Sequence, residues 1–338
     1  MKSGEGETRE GEGDMKSVKI FSLFVSILLM FCSVVTVHTQ ERYPARPIHL
    51  IVPMSAGGGT DRVARAIAEA MKNYLSQPVL VENIAGAGSV TGMSKVHASK
   101  PDGYTLGLAS GYMISTALQG MTKYPADDFA FIAAISQDTF TFSVPAESKY
   151  RSLREIIEAS RAEPDKITLG NAGTGALTHL ASVALNQSTG SKFRIVPFVG
   201  GAKEITALLG AHIDAGIFSM SEVLGHSPPG GKIRNLAVFS KKPSSKLPGV
   251  LPLSELGIKG GIPEGPWQGI VAPKGLSDDT KNVLIEAVGK AVQDPYWKGL
   301  LEKFGYSDRF LPGKGFEQFF KDDAQMLEGL LRSTGIIK

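Results

Sequence analysis

Three turns built from glycine hold most of the chemistry this sequence offers: Ala56–Asp61, Ala172–Ala176 and Val199–Ala202. Each follows a short apolar run and precedes an amphipathic one, so each reads as a strand-to-helix turn. Glycine lets the chain turn with positive φ and brings backbone close to a ligand. The first N–H groups of the following helix have no internal partner and lie at the positive end of its dipole. Such a start is a ready anion site. Ordinary turns of this type also use glycine, so the argument rests on the recurrence of three. Asp61, in the first helical turn, answers the helix dipole and also sits beside the expected pocket, and both roles stay open.

Enzyme chemistry finds less support. Gly57 and Gly59 begin a dinucleotide fingerprint, but its third glycine is replaced by Arg62. There is no Gly-x-x-x-x-Gly-Lys phosphate loop and no Gly-x-Ser-x-Gly elbow. The six histidines are scattered, none at metal-ligand spacing, so no metal and no cofactor is expected. His179, one turn into the helix after Gly173–Gly175, reads as a packed or capping residue. No nucleophile with a base in reach can be nominated, and the catalytic set is therefore empty.

The elements that must position these turns follow from periodicity. Ile48–Pro53 reads as a buried strand, and the helix after it carries Val63, Ile67, Met71 and Tyr74 on one stripe. Further strands are expected at Val79–Val81, Tyr104–Ala109, Lys166–Leu169, Phe193–Pro197, Ile213–Phe218, Ile233–Phe239 and Gln268–Ala272. Ser152 and Glu155 form a capping box that opens a helix over Leu153–Ala162. Pro228–Gly231 reads as a turn, and two helical stretches, Asp278–Phe304 (broken near Pro295) and Phe316–Ser333, end the chain. Repeated strand–turn–helix units predict an α/β fold with parallel sheets covered by helices on both faces. Tyr112, Phe140, Phe142, Phe198, Phe218 and Trp267 fall near the expected cleft, most as packing and one or two as its walls.

The N-terminus differs from the rest. A basic segment, Met15–Lys19, precedes the apolar run Ile20–Val37 and a polar exit at His38–Gln40. That is the profile of a secretory signal peptide over residues 1–39, with the true start at Met15 and cleavage after Thr39. The apolar run is also near the lower length of a membrane span, which leaves a retained anchor as the alternative. The single cysteine, Cys32, lies inside the run after Phe31, a poor context for lipidation, so the mature chain has no thiol. With 36 basic and 33 acidic side chains, a net charge of +3 and no basic stripe, nucleic-acid binding is not expected.

The segments YPARPIHLIVPMSAGGGTDRVAR, QPVLVENIAGAGSVTG, KPDGYTLGLAS, GNAGTGALTHLA, VPFVGGAKEITALLGAHID and GPWQGIVAPKGL, in this order and spacing from Tyr43 onward, resemble the Bug-type receptors of tripartite tricarboxylate transporters. The resemblance implies a two-domain periplasmic-binding-protein fold, type II-like, with the ligand between two α/β domains. Domain 1 would be 43–141 plus 263–338 and domain 2 142–262, with crossings near Thr139–Ser143 and Gly261–Pro266. It implies a monomeric periplasmic receptor, not an enzyme, that delivers a small carboxylate to membrane permease subunits. The implied site takes Ser55, Ala56, Gly57, Gly58, Gly59, Thr60 and Asp61 from the first loop. Ser110 and Tyr112 follow the third strand. Gly173, Thr174, Gly175, Ala176, Phe198, Gly200, Phe218 and Ser219 come from the second domain. Phe198 stands where many relatives have tyrosine, and Phe218 falls near a frequent aspartate. Both departures point away from an amino acid and toward a less polar acid. The competing readings are a secreted hydrolase or transferase using the same loops and a membrane-anchored sensor ectodomain.

Overall fold

Residues 43–227 and 230–338 are described in this computed structural model. The signal peptide, the Met15 start, Cys32 and the Thr39 cleavage site lie outside the described residues, as do Pro228 and Pro229 of the expected turn. From Tyr43 to Lys338 the chain forms one compact unit.

Apolar runs set the first sheet. Ile48–Val52 (β1), Val79–Asn83 (β2) and Thr105–Ala109 (β3) pair in parallel, with β1 in the middle. Phe129–Gln137 (β4) joins the same sheet later in the chain, and Phe140–Pro145 (β5) opens the second. Beside β5 in that sheet lie Thr168–Asn171 (β6), Arg194–Pro197 (β7), Ala215–Ser219 (β8) and Ile233–Val238 (β9), in the order β7-β6-β8-β5-β9. The chain then returns to the first sheet with Trp267–Pro273 (β10) and Ser307–Pro312 (β11), completing the order β11-β4-β10-β3-β1-β2. The all-parallel expectation needs correction, because both sheets are mixed. β10 runs antiparallel to β3 and β4, β11 is antiparallel to β4, and β5 is antiparallel to β8 and β9. The strands that cross between sheets impose this reversal, and no local pattern reveals it.

Ten α-helices among the described residues cover the sheets: α1 (Gly59–Met71), α2 (Val90–His97), α3 (Gly111–Leu118), α4 (Leu153–Ala162), α5 (Leu177–Thr189), α6 (Gly201–Leu209), α7 (Met220–Val223), α8 (Asp278–Ala291), α9 (Pro295–Phe304) and α10 (Lys314–Ser333). Their ends follow local chemistry. Ser152 caps α4 by accepting the Glu155 N–H, while the Glu155 carboxylate reaches the Arg151 N–H. Asp294 caps α9 with Pro295 in its first turn, and Gly305 ends it at φ 75°.

Each sheet with its covering helices forms a lobe, and two large clusters make up most of the core. One cluster lies within the first lobe, between β1 and β3 and the faces of α1, α8 and α9, where Leu50, Val52, Ile67 and Trp297 are fully buried. A second cluster runs through both lobes, from Phe131, Trp267 and Phe316 to Phe140, Phe142 and Leu180. Helix α10 is the element shared between lobes. Its Phe316 and Phe320 meet Trp267 edge to face, and Asp323 accepts the Trp267 indole N–H at 2.7 Å.

The chain leaves the first sheet at Asp138–Thr139 and returns beside the same residues. Asp138 N–H donates to Pro266 O and Phe140 N–H to Glu264 O, both at 2.8 Å. Gly265 holds φ 147°, and any Cβ there would strike the Asp138 and Thr139 backbone. Only glycine lets the two crossings lie this close.

Candidate functional site

The first glycine turn is an open helix start. Gly58 is the N-cap of α1 and supplies no side chain to its N–H groups, while Ser55–Gly58 are exposed. The turn is braced from below. Asp61 is buried, and its Oδ2 accepts the Gly57 N–H at 2.9 Å and Arg65 Nε at 3.1 Å. Its Oδ1 accepts Asn83 Nδ2 at 2.9 Å, and the same amide donates to Met54 O. Burial pushes the Asp61 carboxyl up, but the Gly57, Arg65 and Asn83 hydrogen bonds outweigh it and hold the value below the ordinary one. Asp61 thus supports the loop. Arg62 Nη1 donates to Gly57 O at 3.1 Å, its guanidinium lies over the Phe304 ring, and its buried Nε has no acceptor in the protein.

The second turn is already committed to its own lobe. Asn171 Oδ1 accepts the Gly173 N–H, Thr178 Oγ1 the Ala172 N–H and His179 Nδ1 the Gly175 N–H at 3.4 Å. His179 is therefore a capping residue. Gly175 O accepts Ser115 Oγ at 2.9 Å, which ties this turn to α3 of the first lobe. Thr174 is exposed between these contacts.

The third turn meets acids. Gly200, at φ 88°, is the N-cap of α6 and offers no side-chain cap. A Cβ on Gly201 would lie 2.9 Å from Glu222 Oε1, so a carboxylate of the protein already stands at this helix start. Glu204, in the first turn of α6, is fully buried against Gly170 and Gly216. Neither of its oxygens has a hydrogen bond of normal geometry, although the Ile217 N–H approaches. Burial and the nearby Glu222 push its carboxyl up to about 9. Glu222 still reaches solvent, but the protein around it raises its value too, opposed by the Ser219 N–H and by Arg62 from the other lobe.

The crossing between the two sheets joins these pieces. Asp138 Oδ2 accepts Ser221 Oγ at 2.5 Å, and Oδ1 accepts the Thr139 N–H at 2.8 Å. Burial pushes the Asp138 carboxyl up to about 7, with these hydrogen bonds opposing. Tyr306 Oη would be 2.7 Å from a Cβ on Gly59, which places it against the α1 start. The Tyr112 hydroxyl is pushed up to about 12, by burial first and then by Glu222, Asp138 and Glu204 around it.

A model of the tripartite tricarboxylate transporter family receptor matches residues 63–336. The chain belongs to that family. Protein BugT of Bordetella pertussis is 30% identical to it over 321 residues, 92% of this chain and 96% of that protein. A Cupriavidus necator protein described by its place in the gbd 5' region is 32% identical over 303 residues, 88% of this chain and 90% of the other. Among solved structures, a TctC solute binding protein from Polaromonas, without ligand, superposes with a TM-score of 0.76 at 33% identity, covering 86% of this chain and 99% of that one.

Within this family fold, the expected site residues separate into groups. Ser55–Thr60 line the open first turn, with Asp61 beneath it. Gly173–Ala176 and Gly200 lie together, since Gly200 N–H donates to Ala172 O at 3.1 Å. Ser110 is buried at the start of α3, Tyr112 is half-buried beside the acids, and Ser219 precedes the short α7 without a side-chain bond to its N–H groups. Phe218 requires correction as a ligand wall: it is 0% exposed and packs with Leu208, Ile213 and Val223. Phe198 packs on the same cluster. The positive φ of the first turn is at Gly57, 83°, whereas the φ of −75° at Gly58 suits any residue. Sequence reasoning missed Arg62, Asp138, Glu204, Ser221, Glu222 and Tyr306. Arg62 was visible only as the residue that broke a glycine fingerprint. Among the described residues there is no metal-holding group of three or more His, Cys, Asp and Glu, and no helix long and apolar enough to cross a membrane. A cavity of about 750 Å³ beside the crossing, lined by Lys241, Lys246, Glu264, Glu302 and Arg309, includes none of the three glycine turns.

Proposed function

We propose that this chain is an exported, periplasmic receptor that captures a small carboxylate between its two lobes and delivers it to separately encoded permease subunits. It works as a monomer, without cofactor, metal or chemical turnover. The observation that carries the reading is the α1 start: exposed glycine backbone with uncapped N–H groups, Arg62 beside them, and an acid beneath already neutralised by its own partners. A family description that names both a transporter and tricarboxylates supports the same reading. The lobes move as two bodies about Asp138–Thr139 and Gly265, so the domain boundaries are drawn there.

A thermal-shift screen of mono-, di- and tricarboxylates and aromatic acids, followed by calorimetry, tests this. At least one acid should raise the melting temperature and bind with one-to-one stoichiometry. No shift with any acid, together with turnover of an ester or phosphate, would instead establish the hydrolase reading.

A further inference from the structure

The cavity beside the crossing has a charge pattern of its own. Its lining comes from both lobes: the Ser240–Lys246 loop after β9 on one side, and the end of α9 with the start of β11 on the other. Five cations line it against three carboxyl groups, Glu264, Glu302 and Asp308. The ion pairs within it are loose. Glu264 is shared by Lys241 at 3.4 Å and Arg309 at 3.5 Å, and Glu302 holds Lys246 at 3.4 Å. Every other lysine or arginine ion pair among the described residues closes to 3.1 Å or less. Lys298 Nζ donates to the neutral Gln293 amide at 2.8 Å and not to an acid. Lys246 and Arg309, one from each lobe, are half-buried. The Lys246 stem is held in place, since a Cβ on Gly305 would lie 3.7 Å from its Cγ and 2.7 Å from Leu224 Cδ1. Ser244 Oγ accepts the Lys246 N–H at 3.2 Å and keeps its own proton to donate.

We propose that this cavity is a second anion site, separate from the glycine turns, and that it takes a phosphate-bearing ligand between Lys246 and Arg309. The excess of cations over acids calls for an anion. A long pair with an exposed partner contributes little, so these cations are redirected at small cost. The cations stand on two opposed walls, which a planar carboxylate with two oxygens serves poorly. A phosphate group presents three acceptor oxygens in a tetrahedral spread and carries nearly two charges. It can meet the Arg309 fork, the Lys246 ammonium and the Ser244 hydroxyl together.

The test is calorimetric titration of the purified protein with pyrophosphate, which should bind one to one. Lys246→Gln and Arg309→Gln should each weaken binding about tenfold, the loss of one charged hydrogen bond. Glu302→Gln frees Lys246 from its own acid and should tighten binding about threefold, a gain that misfolding cannot produce. Lys290→Gln, at an ion pair outside the cavity, should change nothing. In protein labelled with nitrogen-15, pyrophosphate should move the Ser244–Lys246 and Ser307–Arg309 amides and leave Gly58–Thr60 in place. Vesicles of phosphatidylglycerol in phosphatidylcholine separate the sources of the phosphate. Cosedimentation that pyrophosphate reverses assigns it to a lipid headgroup, and its absence assigns it to a soluble compound. No binding of pyrophosphate, an equal loss in Lys290→Gln, or the largest shifts at Gly58–Thr60 overturns the proposal. The carboxylate reading is decided by the acid screen alone and survives each of these results.

Discussion

The first turns of α1 and α6 both follow a glycine turn and both bury a carboxyl group, yet the two groups titrate in opposite directions. Asp61 takes a backbone N–H, an arginine and an asparagine amide, and its value falls. Glu204 takes no hydrogen bond of normal geometry and faces Glu222, and its value rises to about 9. Helix starts that look alike in sequence therefore differ in charge. The α1 start has its acid neutralised and a cation added, so it has room for a foreign anion. The α6 start already has the Glu222 carboxylate against it and resists one. A dipole makes an anion site only where neighbouring side chains have not already occupied it.

The largest expected effect comes from giving the α1 start an acid like the one at α6. Gly58→Asp places a carboxylate where the ligand's should sit, and φ of −75° accepts the side chain without strain. Like-charge repulsion at about 4 Å and an effective dielectric near 20 is about 4 kcal/mol, or roughly a thousandfold in affinity. Aspartate also suits an N-cap, so the variant should melt no lower than wild type. Calorimetry and a thermal melt check both statements.

Removing the brace should cost less. Asp61→Ala strips three hydrogen bonds from the first turn and leaves Arg65 and Asn83 facing an empty site. Stability should fall by about 2–3 kcal/mol, the range for bonds to a buried charge, and ligand affinity should fall with it. A melt unchanged from wild type would show that the loop holds its shape unaided.

The acid at α6 makes a prediction in pH. Glu204 keeps its proton in the folded state up to about pH 9, whereas the unfolded chain releases it near 4.5. The folded state then binds more protons across that window, and this group's contribution to stability is lost as pH rises through it. Glu204→Gln removes the dependence. Its melting temperature relative to wild type should rise steadily from pH 5 to pH 9, and a constant difference would mean that Glu204 ionises normally. The smallest effect is at Gly58→Ala, where the added Cβ meets only Ser55 O at an ordinary 3.5 Å. Affinity should stay within about threefold of wild type, since contact at that distance demands no displacement.

Much of this contrast could not be read from the sequence, and the reasons differ by region. Helix α4 has the expected bounds, Leu153–Ala162, because capping and periodicity agree there. Strands β4 and β5, FAFIAAISQ and FTFSVP, escaped notice because nearly every residue is buried on both faces and no alternation survives. Strand β11, SDRFLP, is an edge strand whose apolar Phe310 and Leu311 are adjacent, so no alternation announces it. The three glycine turns were legible from local chemistry. The charges that distinguish them were not, since Arg62 braces the first turn through Gly57 O, Glu222 reaches the α6 start only through the fold, and Glu204 matters only through its burial.

Backbone amide shifts on ligand titration test the contrast most directly. In a protein labelled with nitrogen-15 and titrated with the tightest acid from the screen, the Gly58, Gly59 and Thr60 amides at the α1 start should move most. Gly201 and Ala202 at the α6 start should respond weakly, through lobe closure alone. The largest shifts at Gly201 and Ala202, with Gly58–Thr60 unmoved, would place the carboxylate at the acidic helix start and contradict the account.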